Sequence, residues 1–236
     1  MDAHQLPVQQ KTEQTHELLN TAYKVLTLES RRTPMQELIS TMLSHRTTHA
    51  DEVKAYNTML EQFGDWQGVI DAPVQELARA IATTRYPDQK APQIQQTLRI
   101  IKEERGEINI DFLNDMPVEE AMAWLTKLPG VGLKTATLLL LFNFKKPVLP
   151  VDTHVFRVSQ RVGLIGAKVT ADKAHKLLLD MLPKDAVELF NFHKHLFWHG
   201  QRVCTWYTPK CEQCVLQPLC NYYQDVRAKG IDQQAE

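Results

Sequence analysis

Apolar residues recur at helical spacing along most of the chain, and no stretch alternates apolar and polar residues for long enough to predict a strand. This pattern predicts an all-α protein. The sequence Thr33-Pro34-Met35-Gln36 has the N-cap, first-turn proline and capping-box glutamine of a helix start. The helices predicted from the spacing lie at about 15–26, 34–44, 50–63, 74–82, 91–104, 117–126, 133–142, 153–162, 171–182 and 185–199.

The two ends of the chain are polar and carry little helical pattern. The first dozen residues are expected to be disordered, so that the first helix begins at about Thr15. Residues 226–236 are expected to form a C-terminal tail. The apolar stripe of the first helix is predicted to comprise Leu18, Leu19, Ala22, Val25 and Leu26.

A short glycine-containing turn joins two apolar helices in the sequence LPGVGLKTA, residues 128–136. Gly130 and Gly132 permit a positive φ and let a ligand approach the backbone closely. We expect the amides of Val131, Gly132 and Leu133 to point outward at the start of the second helix, which is a favourable site for a phosphate. A turn of this kind alone is also common in helical hairpins that bind nothing.

Two ionisable residues accompany this turn. Lys134 lies in the first turn of the second helix, and Asp152 follows two prolines in a position to N-cap the next helix. Taken singly, such a lysine is usually a solvated surface charge and such an aspartate is usually only a cap. A phosphate-binding turn, a lysine and a carboxylate at one junction instead suggest chemistry on nucleic acid.

The composition is that of an ordinary globular protein, with 43% hydrophobic residues, 23% charged residues and a formal net charge of −1. Basic residues are nevertheless concentrated between Lys127 and Arg161, where six lysines and arginines accompany one aspartate. One basic face is enough to attract nucleic acid. No stretch approaches the roughly 18 apolar residues of a membrane span, and the N-terminus has no signal pattern. We therefore expect no membrane partner and a cytoplasmic location, nucleoid-associated in a bacterium or archaeon.

The turn sequence followed by VDTH at residues 151–154 resembles the helix-hairpin-helix and Gly/Pro-Asp signature of base-excision DNA glycosylases, specifically the endonuclease III branch. The resemblance extends from about residue 15 to 222. It implies double-stranded DNA with damaged bases or abasic sites as the partner, and oxidised pyrimidines as the usual substrates. It also implies that Lys134 attacks the sugar C1′ of a flipped-out nucleotide, that Asp152 assists, and that β-elimination then cuts the strand.

Two further implications concern function. MutY-like relatives, which remove a base without cutting the strand, lack a lysine at this position, so Lys134 favours a bifunctional glycosylase and AP lyase. His154 follows Asp152 closely enough to meet the DNA backbone, although a role in starting the helix is equally open. The alternative function is a non-catalytic, or mainly abasic-site-binding, iron–sulfur DNA-binding protein, which would not need Lys134 and Asp152.

The resemblance implies two domains that periodicity alone does not indicate. Residues 27–146 would form a six-helix domain ending in the hairpin. Residues 1–26 and 147–225 would form a second domain around a metal cluster, so that the two ends of the chain come together. We expect a monomer, because no heptad or apolar stripe is left over.

All four cysteines lie within 17 residues, as Cys204, Cys211, Cys214 and Cys220 with the spacing C-x6-C-x2-C-x5-C. A chain without a signal sequence is a poor candidate for disulfides. Zinc stays open, although structural zinc sites favour two CxxC pairs and only one is present. Endonuclease III-like proteins use this spacing for a structural 4Fe–4S cluster, which the resemblance therefore implies here. Lys210, in the loop between the first two cysteines, is then expected to contact DNA phosphates unless it is simply solvated.

Two loops depart from the family pattern. Endonuclease III-like enzymes commonly carry glutamine in an LSxQxxD stretch, whereas here Arg46 replaces the glutamine and His49 the acid. An arginine can still fill the gap left by a flipped base and hydrogen-bond the orphaned partner base. The second loop usually carries a leucine wedge, and here Arg85 or Tyr86 would replace it by stacking. These departures leave the lesion preference open: a substrate range narrower than the family's, a different range, and an abasic-site lyase with weak glycosylase activity are the alternatives.

Overall fold

The computed structural model describes residues 5–227, so most of the predicted C-terminal tail lies outside the described residues. The described residues are helical and contain no strand, which confirms the all-α prediction. Among them, no helix is long and apolar enough to cross a membrane. The α-helices are Val8–Tyr23 (α1), Pro34–Ser44 (α2), His49–Phe63 (α3), Trp66–Asp71 (α4), Val74–Ala80 (α5), Pro87–Arg105 (α6), Val118–Leu125 (α7), Leu133–Phe144 (α8), Thr153–Val162 (α9), Ala171–Asp180 (α10) and Ala186–Arg202 (α11).

The chain forms two compact units. One comprises Glu29–Phe144 and contains α2 to α8. The other joins the chain up to Leu28 with the chain from Lys145 onward, and it contains α1, α9, α10 and α11. The two ends of the chain therefore share one unit, and the cysteine segment belongs to that unit.

The 29–144 unit is organised around α8. This helix is apolar on nearly all sides and buries every residue from Thr135 to Leu141, as expected of a central helix. Helix α2 packs against it and begins at the predicted capping box, in which Thr33 and Gln36 bond each other reciprocally. Helix α2 buries Met35, Leu38, Ile39, Met42 and Leu43, and Met42 near its C-terminal end lies against Gly130 of the hairpin.

This unit has seven α-helices, one more than the six that were predicted. The additional helix, α4, has only six residues, which is too few to show a period, and Asp65 caps it by accepting a hydrogen bond from the Gly68 amide at 2.8 Å. Helix α6 begins at Pro87, four residues before its predicted start. Its N-cap residue Tyr86 has a left-handed backbone, with φ of 58°, which sequence periodicity does not indicate.

Helix α1 begins at Val8, so the prediction that the first dozen residues are disordered was wrong from that residue onward. Lys11 and Thr12 are buried. The Lys11 ammonium donates to the carbonyl of Val162 at 3.2 Å and to Oδ1 of Asn221 at 2.7 Å. These partners lie far away in the sequence, and a local pattern therefore cannot reveal them.

The apolar stripe predicted for α1 was also largely wrong. The helix ends at Tyr23, and Lys24 then adopts a left-handed φ of 60°. Val25 and Leu26 therefore lie beyond the helix, and Val25 is 63% exposed. The buried face of the helix consists of Lys11, Thr12, Thr15, His16 and Leu19. A mainly polar face can be buried here because tertiary hydrogen bonds satisfy several of its groups.

Helix α11 buries three histidines, His193, His195 and His199. A ring nitrogen of His193 lies 2.9 Å from the carbonyl of Pro150, and one of His195 lies 2.9 Å from the carbonyl of Lys24. Burial lowers the pKa of His195 and that of His199 to about 4. These side chains are therefore neutral packing groups of the unit at neutral pH.

Replacing His195 by glutamine should reduce the acid sensitivity of the fold. The folded-state pKa of about 4 lies below the ordinary value of 6.5, so between these values the unfolded chain binds a proton that the folded chain does not. Stability is therefore lost as the pH falls through this range, and His195→Gln should remove about 1–2 kcal/mol of that loss. Urea unfolding at about pH 7.5 and about pH 5 measures the difference, and equal losses in the two proteins would contradict the assignment.

Candidate active site

The turn between α7 and α8 is a tight hairpin anchored by buried side chains. Leu128 and Val131 are buried on either side of Gly130, whose φ of 76° is left-handed. The hydroxyl of Thr97, in α6, donates to the carbonyl of Pro129 at 3.0 Å. The turn is thus fixed by packing and by a hydrogen bond within the 29–144 unit.

The two glycines of the turn serve different needs. A Cβ atom on Gly130 would lie 2.8 Å from Oε1 of Gln93 and 3.2 Å from Cε of Met42, in addition to the unfavourable φ. Gly130 is therefore required by the fold. Gly132 does not have a left-handed φ, and a Cβ atom there would meet nothing within 4 Å. Its surroundings in the free protein leave the backbone open to a ligand.

The amides at the start of α8 differ from the predicted arrangement at one position. The Val131 amide donates to the carbonyl of Leu128 at 3.1 Å, so the prediction that it points outward was wrong. The tight turn needs this bond, because it closes the chain on itself before the helix starts. Among the residues that the structure describes, the amides of Gly132 and Leu133 donate to no backbone carbonyl. These two amides are the ones available at this helix N-terminus.

Lys134 is the second residue of α8 and is half-buried. No acidic side chain of the 29–144 unit pairs with it. Lys134 is one of three cations near His45: burial, and then the charges of Lys134, Lys90 and Arg46, lower the pKa of that histidine. A phosphate group would find the exposed Gly132 amide and several cations within one region of this unit.

The two loops that depart from the family pattern meet in the structure. Arg46 and Tyr86 both have left-handed backbones, with φ of 54° and 58°. Nη1 of Arg46 donates to the Tyr86 hydroxyl at 3.3 Å, and the amide of Arg85 donates to Oγ1 of Thr47 at 3.1 Å. Both side chains of the pair are exposed. His49, in contrast, lies beside a buried carboxylate, with Nδ1 3.2 Å from Oε2 of Glu52.

In the other unit, Asp152 N-caps α9 as predicted. Its Oδ1 accepts hydrogen bonds from the amides of His154 and Val155, both at 2.8 Å. These bonds fix the carboxylate group at the start of the helix. The His154 ring packs edge-on against Phe197, and its Nδ1 lies 3.2 Å from Nη2 of Arg157, so the side chain also has a structural role.

The cysteine segment encloses a cavity lined by Cys204, Cys211, Cys214 and Cys220. Two arginines of α9 hold the start of the cysteine segment in place. Arg157 donates to the carbonyls of Gly200 and Cys204, and Arg161 donates to those of Thr205 and Trp206.

Side chains also approach the sulfur atoms directly. Nη1 of Arg161 donates to Sγ of Cys204 at 3.4 Å, and Nε2 of His199 lies 3.3 Å from Sγ of Cys214. Nδ1 of the same His199 ring lies 3.0 Å from the Tyr23 hydroxyl.

The chemistry of these four donors fits a bound metal cluster. Burial, together with the neighbouring thiols, raises the pKa of Cys214 to about 12 and that of Cys220 to about 11. Buried thiolates therefore need positive charge beside them, which a metal centre supplies. In the part of the chain that the structure describes, no three His, Cys, Asp or Glu side chains are placed to hold a single ion. Four cysteine thiolates are the ligand set of a 4Fe–4S cluster.

Lys210 and two exposed aromatic residues lie in the loop between Cys204 and Cys211. Trp206 and Tyr207 are 61% and 86% exposed. Lys210 is exposed as well, while its amide donates to the carbonyl of Val203 at 2.9 Å and so holds the loop against the end of α11. The side chain of Lys210 is free to reach a ligand outside the loop.

Known proteins resemble this chain over most of its length. The sequence profile of the HhH-GPD superfamily of base excision DNA repair proteins matches residues 39–184. Endonuclease III of Thermotoga maritima is 36% identical over 197 residues, which cover 84% of this chain and 86% of that protein. The chain belongs to the HhH-GPD superfamily.

Solved structures of endonuclease III agree with this assignment. A non-covalent endonuclease III–DNA complex matches with a TM-score of 0.79 and 28% identity, covering 95% of this chain and 99% of that one. A trapped endonuclease III–DNA covalent intermediate matches with a TM-score of 0.78 and 26% identity, covering 93% and 99%. The two-domain helical architecture is thereby confirmed. The chain is an endonuclease III-like DNA glycosylase of base excision repair, from a class that combines glycosylase with AP lyase activity.

The sequence alone did not identify Lys90 and Thr47 as important. These residues connect the two loops that differ from the usual pattern of the family. The Lys90 ammonium donates to Oγ1 of Thr47 at 3.1 Å. The sequence did contain one signal. Positive charge in the first turn of a helix interacts unfavourably with the helix dipole, so a lysine there indicates a compensating contact elsewhere.

The two hairpin glycines give a matched test of this site. Gly132→Ala should leave the melting temperature nearly unchanged, because the new methyl group meets nothing in the free protein. It should weaken DNA binding by about threefold to tenfold, which is the value of one lost backbone hydrogen bond to phosphate. Gly130→Ala should instead destabilise the fold by about 1–3 kcal/mol. Thermal unfolding and fluorescence anisotropy separate the two effects, and unchanged DNA affinity in Gly132→Ala would contradict the phosphate site.

Proposed function

We propose that this enzyme is a bifunctional DNA glycosylase and AP lyase in which Lys134 is the nucleophile. The observation that carries the proposal is the position of Lys134, in the first turn of α8 and two residues after the open backbone of Gly132. Its side chain is half-buried and pairs with no acidic side chain of its unit. An amine at this point lies beside the amides that would hold the DNA backbone. The trapped covalent intermediate of an endonuclease III supports the same class of chemistry.

The reaction follows from the groups present. The neutral amine of Lys134 attacks C1′ of the damaged nucleotide, and the glycosidic bond breaks as the base leaves with its electron pair and takes up a proton. The sugar ring opens to give a Schiff base between Lys134 and C1′. Loss of a proton from C2′ then breaks the bond between C3′ and the phosphate oxygen, which cuts the strand, and water releases the lysine. We assign to Asp152 the stabilisation of positive charge on the sugar during the first step.

The remaining candidate residues are proposed to hold the DNA. The open backbone at Gly132 would bind a phosphate, with Gly130 and Val131 shaping the turn beneath it. Lys210 and His154 would contact phosphates as well. These contacts position the DNA without reading its sequence.

The exposed residues of the two loops that differ from the family pattern are proposed to insert into the base stack of the DNA. A base inside a duplex must be extruded before an enzyme can reach its C1′, and the gap it leaves must be filled. Arg46 and Tyr86, with Arg85 beside them, offer a cation and an aromatic ring for that purpose. We propose an oxidised pyrimidine as the substrate, within a range altered by these replacements. An abasic-site-binding protein is the second candidate, favoured by the absence of the usual leucine wedge.

Borohydride trapping tests the nucleophile on a duplex with one oxidised thymine and on one with an abasic site. Wild type should form a covalent protein–DNA adduct, because borohydride reduces the Schiff base. Lys134→Gln should form none, since it has no amine to attack. Lys127→Gln is the matched control, because Lys127 is an exposed lysine of the same hairpin, and it should be trapped like wild type.

The possible outcomes separate the functions. An adduct on the abasic site alone would keep the lyase and remove oxidised thymine as a substrate. An adduct that persists in Lys134→Gln would reject this lysine as the nucleophile. No adduct in wild type on either duplex, with DNA binding retained, would favour the abasic-site-binding protein.

We further propose that the four cysteines bind a 4Fe–4S cluster with a structural role. The donors fit such a group because the four cysteines line one cavity, Nη1 of Arg161 donates to Sγ of Cys204, and a ring nitrogen of His199 lies 3.3 Å from Sγ of Cys214. With all four positions taken by cysteine, the cluster would stabilise the segment that carries Lys210. No chemical step passes through it.

Cys211→Ser should therefore lose iron and fold stability together. Purified wild type should be brown and contain iron and acid-labile sulfide in equal amounts, whereas the variant should contain much less of both. Its melting temperature should fall because the cavity loses the centre that compensates buried thiolates. Zinc without labile sulfide in the wild-type protein would refute the iron–sulfur assignment.

A further inference from the structure

Lys90 is a buried cation in an unfavourable place. It lies in the first turn of α6, where the helix dipole disfavours positive charge, and it is only 6% exposed. A buried ammonium is costly unless hydrogen bonds replace its water. The reason for a lysine at this position must therefore lie in the groups that it contacts.

All three contacts of Lys90 lie in the last turn of α2 or in the segment that follows it. Its ammonium donates to the carbonyls of Leu43 and His45 and to the hydroxyl of Thr47. Three acceptors match the three donors of an ammonium. Carbonyls at a helix C-terminus lack partners within the helix and attract cations, so Lys90 acts as a cap for α2 supplied by another helix. Burial lowers its pKa to about 8, and the group is therefore still mainly protonated at neutral pH.

These contacts surround Arg46, whose backbone is strained. A left-handed conformation costs a residue other than glycine about 1–2 kcal/mol, and it persists where the surroundings fix it. Lys90 bonds the His45 carbonyl immediately before Arg46 and the Thr47 hydroxyl immediately after it, at 2.9 and 3.1 Å. The ammonium thus holds both sides of the strained residue.

The same contacts reach the second loop. Oγ1 of Thr47 accepts the Lys90 bond and the Arg85 amide, and it donates to the carbonyl of His45 at 3.2 Å. One residue beyond Arg85 is Tyr86, whose hydroxyl accepts from Arg46 at 3.3 Å. One buried ammonium and one hydroxyl therefore connect the two loops.

We propose that Lys90 is a positioning residue that locks the two loops together, so that Arg46 and Tyr86 enter the DNA stack as a preassembled pair and read the base left opposite the lesion. This inference rests on the proposed function, because it takes these two side chains to be the ones that face DNA. A pair fixed before binding loses less conformational freedom on binding, which favours both affinity and discrimination. Lys90 itself touches no reacting atom.

The test compares Lys90→Met with Lys102→Met. Methionine keeps the length of the side chain and removes its charge and donors. Lys102 lies on the same helix and is exposed, and its ammonium donates to Oε1 of Gln67, so its replacement controls for the lost charge. One substrate is a duplex abasic site with 2-aminopurine opposite, whose fluorescence reports unstacking of the unpaired base. The other is a single-stranded abasic oligonucleotide, which has no stack to enter.

Lys90→Met should lower kcat/KM on the duplex by about tenfold to a hundredfold, as expected when reacting groups are held less precisely. The 2-aminopurine signal on binding should fall, and discrimination among the four opposite bases should approach unity. Trapping on the single-stranded oligonucleotide should stay within about twofold of wild type, since Lys134 is intact. Lys102→Met should resemble wild type in every measurement.

Thr47→Val provides a second variant if Lys90→Met does not fold. It keeps the shape of the side chain but removes the hydroxyl that joins Lys90 to the Arg85 amide, and it should change opposite-base discrimination in the same direction. Unchanged discrimination and an unchanged 2-aminopurine signal in a folded Lys90→Met protein would overturn the proposal. Equal losses on duplex and single strand would also overturn it, because they indicate a general defect or a part in the chemistry.

Failure of the proposed function would give a different result. Wild type would then form no adduct on either substrate, while its 2-aminopurine signal on binding the duplex would still report entry into the stack. Loss of that signal in Lys90→Met would support the positioning role without any catalytic readout, and its retention would refute it.

Discussion

The left-handed backbone at Gly130 is the constraint on which the candidate site depends. It lets the chain leave α7 and enter α8 within a few residues while Leu128 and Val131 stay buried. The neighbouring Gln93 and Met42 side chains leave no room for a Cβ atom, so the turn is fixed from two other helices of the unit. Because α8 is buried from Thr135 to Leu141, packing holds in place the helix that carries Lys134.

Buried cationic side chains bond the carbonyls at the ends of several helices in this fold. Lys90 bonds carbonyls at the end of α2, and Lys11 bonds the Val162 carbonyl at the end of α9. Arg157 bonds the carbonyls of Gly200 and Cys204 at the end of α11. In each case a side chain from another element satisfies carbonyls that the helix leaves unpaired, at the end where the dipole favours positive charge. The loops that follow α2 and α11 carry the proposed DNA contacts, so this capping also positions functional side chains.

The interior of each unit is stabilised by a different kind of contact. In the 29–144 unit, apolar packing around α8 and the capping box at Thr33 hold the hairpin. In the other unit, polar contacts dominate: the buried face of α1 is mainly polar, and α11 buries three histidines. Buried polar groups of this kind need their partners in place. A metal cluster between Cys204 and Cys220 would fit that pattern, since it would compensate four thiolates at once.

The sequence alone determined the features that are local along the chain. The helical period, the caps at Thr33 and Asp152 and the turn at Gly130 each depend on residues within one or two helical turns, and the structure has them. The motif that joins the hairpin to VDTH was sufficient to identify the superfamily. The cysteine spacing was sufficient to predict a metal site, and the four side chains do line one cavity.

Only the tertiary structure decided the features that depend on partners distant in the sequence. Helix α1 begins early because Lys11 finds Val162 and Asn221, which no local pattern shows. The Val131 amide is used within its own turn, and the connection of Arg46 to Tyr86 spans 40 residues. Periodicity records which side chains are apolar, whereas a buried polar contact depends on which groups the fold brings together.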